Sequence, residues 1–239
     1  INTQTNCQYT LELSKHFFFN KEYSSSSKME PVDHVFSIVI IGDTEVGKTS
    51  LINRISKDVF LPNDDSSSMF LSGLMHSTVI KSEENSVRIN IWDTTTIDDY
   101  KGMNVCHFQD AQGCILLFSL NNPDSLQNVY KWADEFDRHS LSPHILFLVG
   151  TKDDLPTEEK IVKPEDIKEV AEKLNANAFL VSSLEGSGVD ELKRSLSKEL
   201  THKFSMTSEN SEASQQIPEV PNQKSPKKKK KAKTHKTCT

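Results

Sequence analysis

The stretch GDTEVGKTS (42–50) constrains the fold of this chain more than any other part of the sequence. It fits the pattern G-x-x-x-x-G-K-[S/T], and it lies between a β-branched apolar run at 34–41 and a helical pattern at 49–55. In that setting backbone N–H groups and the helix N-terminus wrap around phosphates. Lys48 is expected to reach the β- and γ-phosphates of a nucleotide, and the Thr49 hydroxyl is expected to bind Mg²⁺. The alternative is a loop that only turns the chain. The predicted phosphate-binding residues are Gly42, Asp43, Thr44, Glu45, Val46, Gly47, Lys48, Thr49 and Ser50.

Short apolar runs alternate with helical patterns through the central part of the chain. Two of the apolar runs flank the turn signal SEEN and predict a β-hairpin. Strands that alternate with helices of this length predict an α/β fold, with a mostly parallel central sheet and helices on both faces. The predicted strands are 34–41, 77–81, 87–93, 114–120, 144–150 and 177–183, and the predicted helices are 49–55, 123–136, 163–174 and 188–200.

Composition divides the 239 residues into three parts. Residues 1–33 lack periodicity and predict a disordered segment, with Met29 as a candidate natural start. Residues 34–204 carry the regular pattern of one folded domain. The polar stretch that follows predicts a disordered tail over 205–239. From Pro218 onward the tail has eight lysines and one acid, or +7; the net charge of the chain is −6, so the rest carries −13. A basic tail on an acidic body indicates an anionic partner.

The sequence TKDD at 151–154 follows the predicted strand 144–150 directly. It resembles the N/T-K-x-D motif of the Ras-like small GTPases. The resemblance implies that Asp154 accepts hydrogen bonds from N1–H and the 2-amino group of guanine, and that the stem of Lys152 packs on the purine. Adenine offers neither donor in that arrangement, so GTP and GDP are favoured and a P-loop ATPase is disfavoured. The alternative is an ordinary charged loop, in which Thr151 and its neighbours bind nothing.

Asp93 ends a predicted strand within IWDTTT (91–96), at a position from which an acid holds Mg²⁺. In the Rab family of small GTPases this stretch reads WDTAGQE, and the following residues 100–120 track the Rab pattern without a gap. The resemblance covers 35–200, so the chain looks like an atypical Rab-like member of the Ras-superfamily small GTPases. It implies the P-loop small-GTPase fold for the domain 34–204, with GTP or GDP and Mg²⁺ as ligands.

The resemblance assigns further residues to an effector face and to the guanine side. Trp92 and Phe108 match two aromatic residues of the Rab effector face, and for each the alternative is simple core packing. The sequence SSL occupies the place of the family's S-A-K loop, where backbone donors contact guanine O6. Ser182 and Ser183 therefore join the predicted nucleotide site. Leu184 replaces the lysine, which lowers the expected affinity.

Two departures from the family pattern bear on hydrolysis. The family glycine that contacts the γ-phosphate is Thr96 here, and the glutamine that orients the attacking water is Ile97. Isoleucine can neither donate nor accept a hydrogen bond. We therefore expect intrinsic GTP hydrolysis to be very slow or undetectable, and we assign no catalytic residue. In the phosphate loop, Glu45 stands where family members often carry glycine, and its carboxylate adds repulsion unless it points to solvent.

The first switch of the family requires a threonine that closes on Mg²⁺ and the γ-phosphate. No Thr-Val-Gly-like motif is visible here, and counting from the two flanking motifs gives positions that differ by about three residues. Ser66, Ser67 or Ser68 supplies the hydroxyl under this alignment, and Ser67 is the candidate metal ligand.

The end of the chain leaves several alternatives open. Cys238 lies one residue from the end, outside a C-a-a-X motif and unlike double-cysteine Rab endings, so its prenylation stays open. The lysine run is expected to attract an anionic membrane surface, with about 1 kcal/mol per lysine. A nuclear-localisation function is also open. No aromatic residues interleave the lysines, which argues against nucleic-acid binding by base stacking.

Two functions follow from these patterns. The first is a guanine-nucleotide switch resembling Rab proteins, in the cytoplasm or peripheral on intracellular membranes, acting in vesicle or membrane traffic with impaired GTP hydrolysis. Its implied partners are effector, exchange-factor and GTPase-activating proteins. The alternative is a pseudo-GTPase scaffold that binds partners without nucleotide cycling, and the residues at 45, 96 and 97 favour it. The intact phosphate-loop residues 47–49, Asp93 and the TKDD motif favour retained nucleotide binding, so the first function is preferred.

Overall fold

The computed structural model describes residues 31–60, 75–82, 85–94, 107–141 and 143–212. Within these ranges, each predicted strand of the central region forms a strand, and each predicted helix forms a helix. The strands and longer helices are, in chain order, β1 (His34–Gly42), α1 (Lys48–Lys57), β2 (Met75–Lys81), β3 (Ser86–Asp93), β4 (Gly113–Ser119), α2 (Pro123–His139), β5 (Ile145–Thr151), α3 (Pro164–Leu174), β6 (Asn177–Val181) and α4 (Val189–Glu212).

The strands form one six-stranded sheet in the order β2-β3-β1-β4-β5-β6. β2 pairs antiparallel with β3 as the predicted hairpin, and the other neighbouring strands pair in parallel. From β1 the chain builds one side of the sheet with β2 and β3, and then crosses to build the other side from β4. The connections therefore reverse direction at the carboxyl ends of β1 and β4. This place is the switch point of the sheet, and it is where open α/β sheets bind ligands.

Two apolar cores lie on opposite faces of this sheet, because successive residues of a strand point to opposite sides. In β1, Ile38 and Ile40 pack with α1 and α4, whereas Val39 and Ile41 pack with α2 and α3. Every residue of the central strand β4 is buried. The predicted α/β fold, with a mostly parallel sheet and helices on both faces, is confirmed.

Most boundaries differ from those predicted by one to three residues, and two of the differences are informative because one bears on the site and the other is large. β6 ends at Val181, whereas the apolar pattern predicted a strand over 177–183. Ser182 and Ser183 belong instead to a turn, in which the Glu185 N–H donates to Ser182 Oγ at 3.0 Å. The last helix, predicted over 188–200, continues to Glu212. Its apolar residues end in the core near Phe204, and its later turns have no apolar pattern that sequence reasoning could follow.

Several predicted features lie outside the described residues. They include the first-switch serines Ser66 to Ser68, the pair Thr96 and Ile97, and the lysine run with Cys238. Ahead of β1, Asp33 is described, and its backbone and carboxylate both pair with the backbone of Ser86. Among the helices of the described ranges, none combines the length and the apolar character that crossing a bilayer requires.

Candidate nucleotide-binding site

The loop between β1 and α1 lies at the switch point of the sheet and makes a close turn. At Gly42 a Cβ would come within 2.4 Å of the Leu117 carbonyl oxygen, so only glycine lets the loop leave the strand on this path. Gly47, with φ of 93°, precedes the first residue of α1. The backbone therefore curls over the N-terminus of α1, where the helix dipole favours an anion.

Lys48 closes this loop from inside. Its Nζ donates to the carbonyl oxygens of Gly42 at 2.9 Å and Asp43 at 2.6 Å, and the residue is 6% exposed. The ammonium group is thereby held within the curl of the loop, as expected for a lysine that meets phosphate oxygens. Its charge is a stabilising partner for an anion at the same place.

Thr49 and Asp93, the two predicted Mg²⁺ ligands in this part of the chain, are in contact. Thr49 Oγ1 donates to Asp93 Oδ2 at 3.0 Å, and Asp93 is buried at the end of β3. The next residue, Thr94, donates to the Ile40 carbonyl and fixes the end of β3 against β1. A hydroxyl and a carboxylate are hard oxygen donors of the kind Mg²⁺ prefers, so the residues present fit the ion.

A carboxylate in the phosphate loop is held away from the loop interior by α2. Asp43 accepts hydrogen bonds from Asn128 Nδ2 and from Trp132 Nε1, both at 2.8 Å. Asn128 and Trp132 are four residues apart and so lie on one face of the helix. This arrangement directs the Asp43 charge towards α2, where the two donors compensate it. Sequence reasoning placed Asp43 in the loop but missed its partners, for which the sequence carries no local signal.

Glu45 adopts a left-handed backbone conformation, with φ of 62°, and its side chain is exposed. Glycine takes such a conformation without the steric cost that a Cβ adds. Glu45 therefore holds this conformation at the cost of local strain, on an exposed part of the phosphate loop.

Replacing Glu45 by glycine should tighten the GDP binding proposed below about fivefold, because the negative charge near the phosphates is removed. The Glu45→Gln variant also removes the charge but keeps the left-handed residue, so it shows whether the charge accounts for the gain. Equilibrium competition at two salt concentrations measures both. If the charge dominates, the two variants gain equally and the gain shrinks in high salt. Unchanged affinity in both variants would show that the exposed carboxylate is too well solvated to matter.

Thr151 joins the TKDD loop to the phosphate loop. Its buried Oγ1 lies 2.6 Å from the Val46 carbonyl oxygen and 3.1 Å from that of Phe118. A hydroxyl has one proton to donate, so the shorter contact is the principal bond. The predicted base-binding and phosphate-binding segments are thus held at a fixed distance by one side chain.

Asp154 is bonded to the turn that follows β6. Ser182 Oγ donates to Asp154 Oδ1 at 2.6 Å, and Asp154 is half-buried. The neighbouring Asp153 is engaged differently, by Lys160 Nζ at 2.8 Å. Lys152, which lies between Thr151 and Asp153, has a left-handed backbone, with φ of 64°. The structure therefore brings together the TKDD loop and the SSL turn, in which Leu184 is exposed.

The aromatic residue that faces Trp92 is His107. Phe108 is 3% exposed and packs edge-on against Phe136, with ring centroids 5.4 Å apart, so it takes the core-packing alternative. The His107 ring stacks on Trp92 at a centroid distance of 3.9 Å. Burial lowers the pKa of His107 to about 4, and among the described residues its Nδ1 has no hydrogen-bond partner. The sequence analysis did not single out His107.

Comparison with known proteins agrees with this arrangement. The family model described as Ras family matches residues 37–202. Ras-related protein RABA3 of Arabidopsis thaliana is 30% identical over 172 residues, which cover 72% of this chain and 71% of that protein. Ras-related protein RGP1 of Oryza sativa subsp. japonica is 31% identical over 162 residues, 67% and 70% of the two chains. Ras-related protein Rab-26 of Rattus norvegicus is 28% identical over 171 residues, 72% and 65% of the two chains. The phosphate loop, the sheet order and the contact of the TKDD loop with the SSL turn agree with these matches. The chain belongs to the Ras family and is a Rab-like small GTPase.

Proposed function

We propose that this protein binds GTP and GDP with Mg²⁺ and acts as a Rab-like switch in membrane traffic, peripheral to intracellular membranes, with impaired GTP hydrolysis. The observation that carries the nucleotide proposal is the link from Thr151 to the Val46 carbonyl at 2.6 Å. This hydrogen bond joins the phosphate loop to the TKDD loop, which is proposed to bind the base, at the switch point of the sheet. Effector, exchange-factor and GTPase-activating proteins are the partners that a Rab-like switch requires.

In this proposal the residues of the site have distinct tasks. Lys48 and the loop N–H groups bind the β- and γ-phosphates. The oxygens of Thr49 and Asp93 hold Mg²⁺, and Ser67 is the proposed third oxygen ligand. The ion supplies neutralisation of phosphate charge when it is bound. Asp154 reads the guanine edge, while its bond from Ser182 keeps the carboxylate oriented.

The proposal of impaired hydrolysis rests on residue type. In the Ras template a glutamine orients the attacking water, and even with it the intrinsic reaction is slow. Ile97 has no polar atom on its side chain for this task. The protein would then remain in its GTP-bound state until a partner supplies the missing group or exchanges the nucleotide.

Replacing Ile97 by glutamine should raise single-turnover GTP hydrolysis by at least about tenfold, because a water-orienting group is restored. The Ile97→Leu variant is the matched control, since it changes the shape and restores no polar atom. Both variants should bind GTP as the wild type does. Hydrolysis in the wild type as fast as in Ile97→Gln would contradict the proposal of impaired turnover.

The alternative, a scaffold that does not cycle nucleotide, is favoured by the strained Glu45 in the phosphate loop and by the absence of the family's catalytic glutamine. Identification of the nucleotide that co-purifies with the protein separates the two functions. Bound GTP or GDP, with exchange at micromolar concentrations, supports the switch. A protein that takes up neither GTP nor GDP, or that holds one of them without exchanging it, is the scaffold.

A further inference from the structure

Arg54 connects α1, the helix that follows the phosphate loop, to the SSL turn (182–184). It lies on α1, and its side chain is 14% exposed. Its Nε donates to the Ser183 carbonyl and its Nη2 to the Leu184 carbonyl, both at 2.8 Å. The third nitrogen, Nη1, donates to the Asp58 carbonyl at 3.0 Å, at the C-terminal end of the same helix. One planar guanidinium thus fixes two successive peptide groups of the turn.

The contact of Nη2 with the Leu184 carbonyl continues as a chain of hydrogen bonds to Asp154. Nη2 of Arg54 holds the carbonyl of the peptide between Leu184 and Glu185. The N–H of the same peptide donates to Ser182 Oγ at 3.0 Å, and Ser182 Oγ donates to Asp154 Oδ1 at 2.6 Å. Hydrogen bonds arranged in series polarise one another, so the orientation of the carboxylate depends on the guanidinium.

The contact of Nε with the Ser183 carbonyl orients a backbone donor. A trans peptide is planar, and its N–H points away from its carbonyl oxygen. Because Nε of Arg54 holds the Ser183 carbonyl, the N–H of Leu184 is directed away from Arg54. In the part of the chain that is described, neither the Ser183 N–H nor the Leu184 N–H donates a hydrogen bond. They belong to the SSL turn, whose backbone donors contact guanine O6 if the resemblance to the small GTPases holds for this base contact.

We infer that Arg54 is a positioning residue for guanine recognition. It touches no nucleotide atom itself, and it orients both the carboxylate that reads the N1 and 2-amino side and the N–H groups that read O6. The inference rests on the proposed nucleotide binding.

The Arg54→Ala variant tests this inference through base selectivity. Affinity for GDP should fall about tenfold, which corresponds to about 1.4 kcal/mol, whereas the weak affinity for ADP should not change. The reason is that adenine uses neither the Asp154 contact nor the O6 contact. Competition against radiolabelled GDP, with retention on filters, measures both affinities.

Two further variants make the result specific. Arg54→Lys keeps the charge and the helix, but one ammonium cannot bond two carbonyls as the planar guanidinium does, so selectivity should fall here too. This variant keeps the test decisive if Arg54→Ala does not fold. Arg138→Ala removes an exposed arginine that pairs with Glu135 on α2, and it should leave selectivity unchanged.

The outcomes separate this inference from the proposed function. Equal loss of GDP and ADP affinity in the Arg54 variants, or unchanged affinity with only a lower melting temperature, would show that Arg54 merely ties α1 to the turn. In that case nucleotide binding by the wild type stands. A wild-type protein that binds no GDP overturns both.

Discussion

Replacing Asp154 by asparagine is expected to change the base preference from guanine to xanthine nucleotides. A carboxylate accepts from both N1–H and the 2-amino group of guanine, whereas an amide offers one acceptor and one donor. The amide mismatches the 2-amino group and matches the carbonyl that xanthine carries there. Because bonds to a charged acceptor contribute about 1.5–3 kcal/mol each, GDP affinity should fall about a hundredfold or more. Competition between GDP and XDP measures the change.

The adjacent Asp153→Asn substitution is the matched control. Asp153 accepts from Lys160 on the other side of the loop, so this variant changes the same charge without touching the proposed base contact. It should retain the preference of the wild type for GDP. Equal loss of GDP affinity in the two variants would mean that the overall charge of the loop, and not a specific carboxylate, determines binding.

The free energy of unfolding should decrease by about 2 kcal/mol between pH 7 and pH 5 because of His107 alone. Burial lowers the pKa of this imidazole from 6.5 to about 4 in the folded protein. The unfolded chain therefore binds a proton near pH 6.5, while the folded protein resists protonation until pH 4. Stability from this group is present above pH 6.5 and is lost as the pH falls. Urea unfolding at a series of pH values measures it.

The His107→Phe variant keeps an aromatic ring against Trp92 and removes the titrating group, so its unfolding free energy should vary less over this range. His76 also has a pKa lowered by burial, and it retains its own contribution in the variant. His202→Gln, on the exposed side of α4, is the control and should follow the wild type. A His107→Phe variant with the full pH dependence of the wild type would assign the effect to other groups.

The sequence predicts the elements of this fold well because the information is local. An apolar run before a glycine-bounded loop, with a helical pattern after it, specifies β1, the loop and α1 within about twenty residues. The same holds for TKDD after β5. The choice that the sequence left open at Phe108, between an effector face and the core, shows the limit of such reasoning. Phe108 and His107 lie in a short helical stretch, where too few residues exist for periodicity to decide which ring faces the core.

Contacts between distant segments were beyond sequence reasoning. Trp132 reaches Asp43 across 89 positions, and Arg54 reaches Ser183 across 129. Neither pair follows from a motif, because the partners meet only once the sheet has brought their elements together. The shortened β6 has a local cause instead: the hydroxyl of Ser182 accepts a hydrogen bond from the N–H of Glu185, and this turn competes with continuation of the strand.

The bond between Trp132 and Asp43 has a consequence for spectroscopy. The chain contains two tryptophans, and both lie beside the candidate site. The indole N–H of Trp132 is bonded to Asp43 of the phosphate loop. Trp92, the residue before Asp93, stacks on His107. All of the tryptophan fluorescence of this protein therefore originates next to the place where phosphates and Mg²⁺ would bind. The unlabelled protein carries its own optical probes of the phosphate loop and of the end of β3.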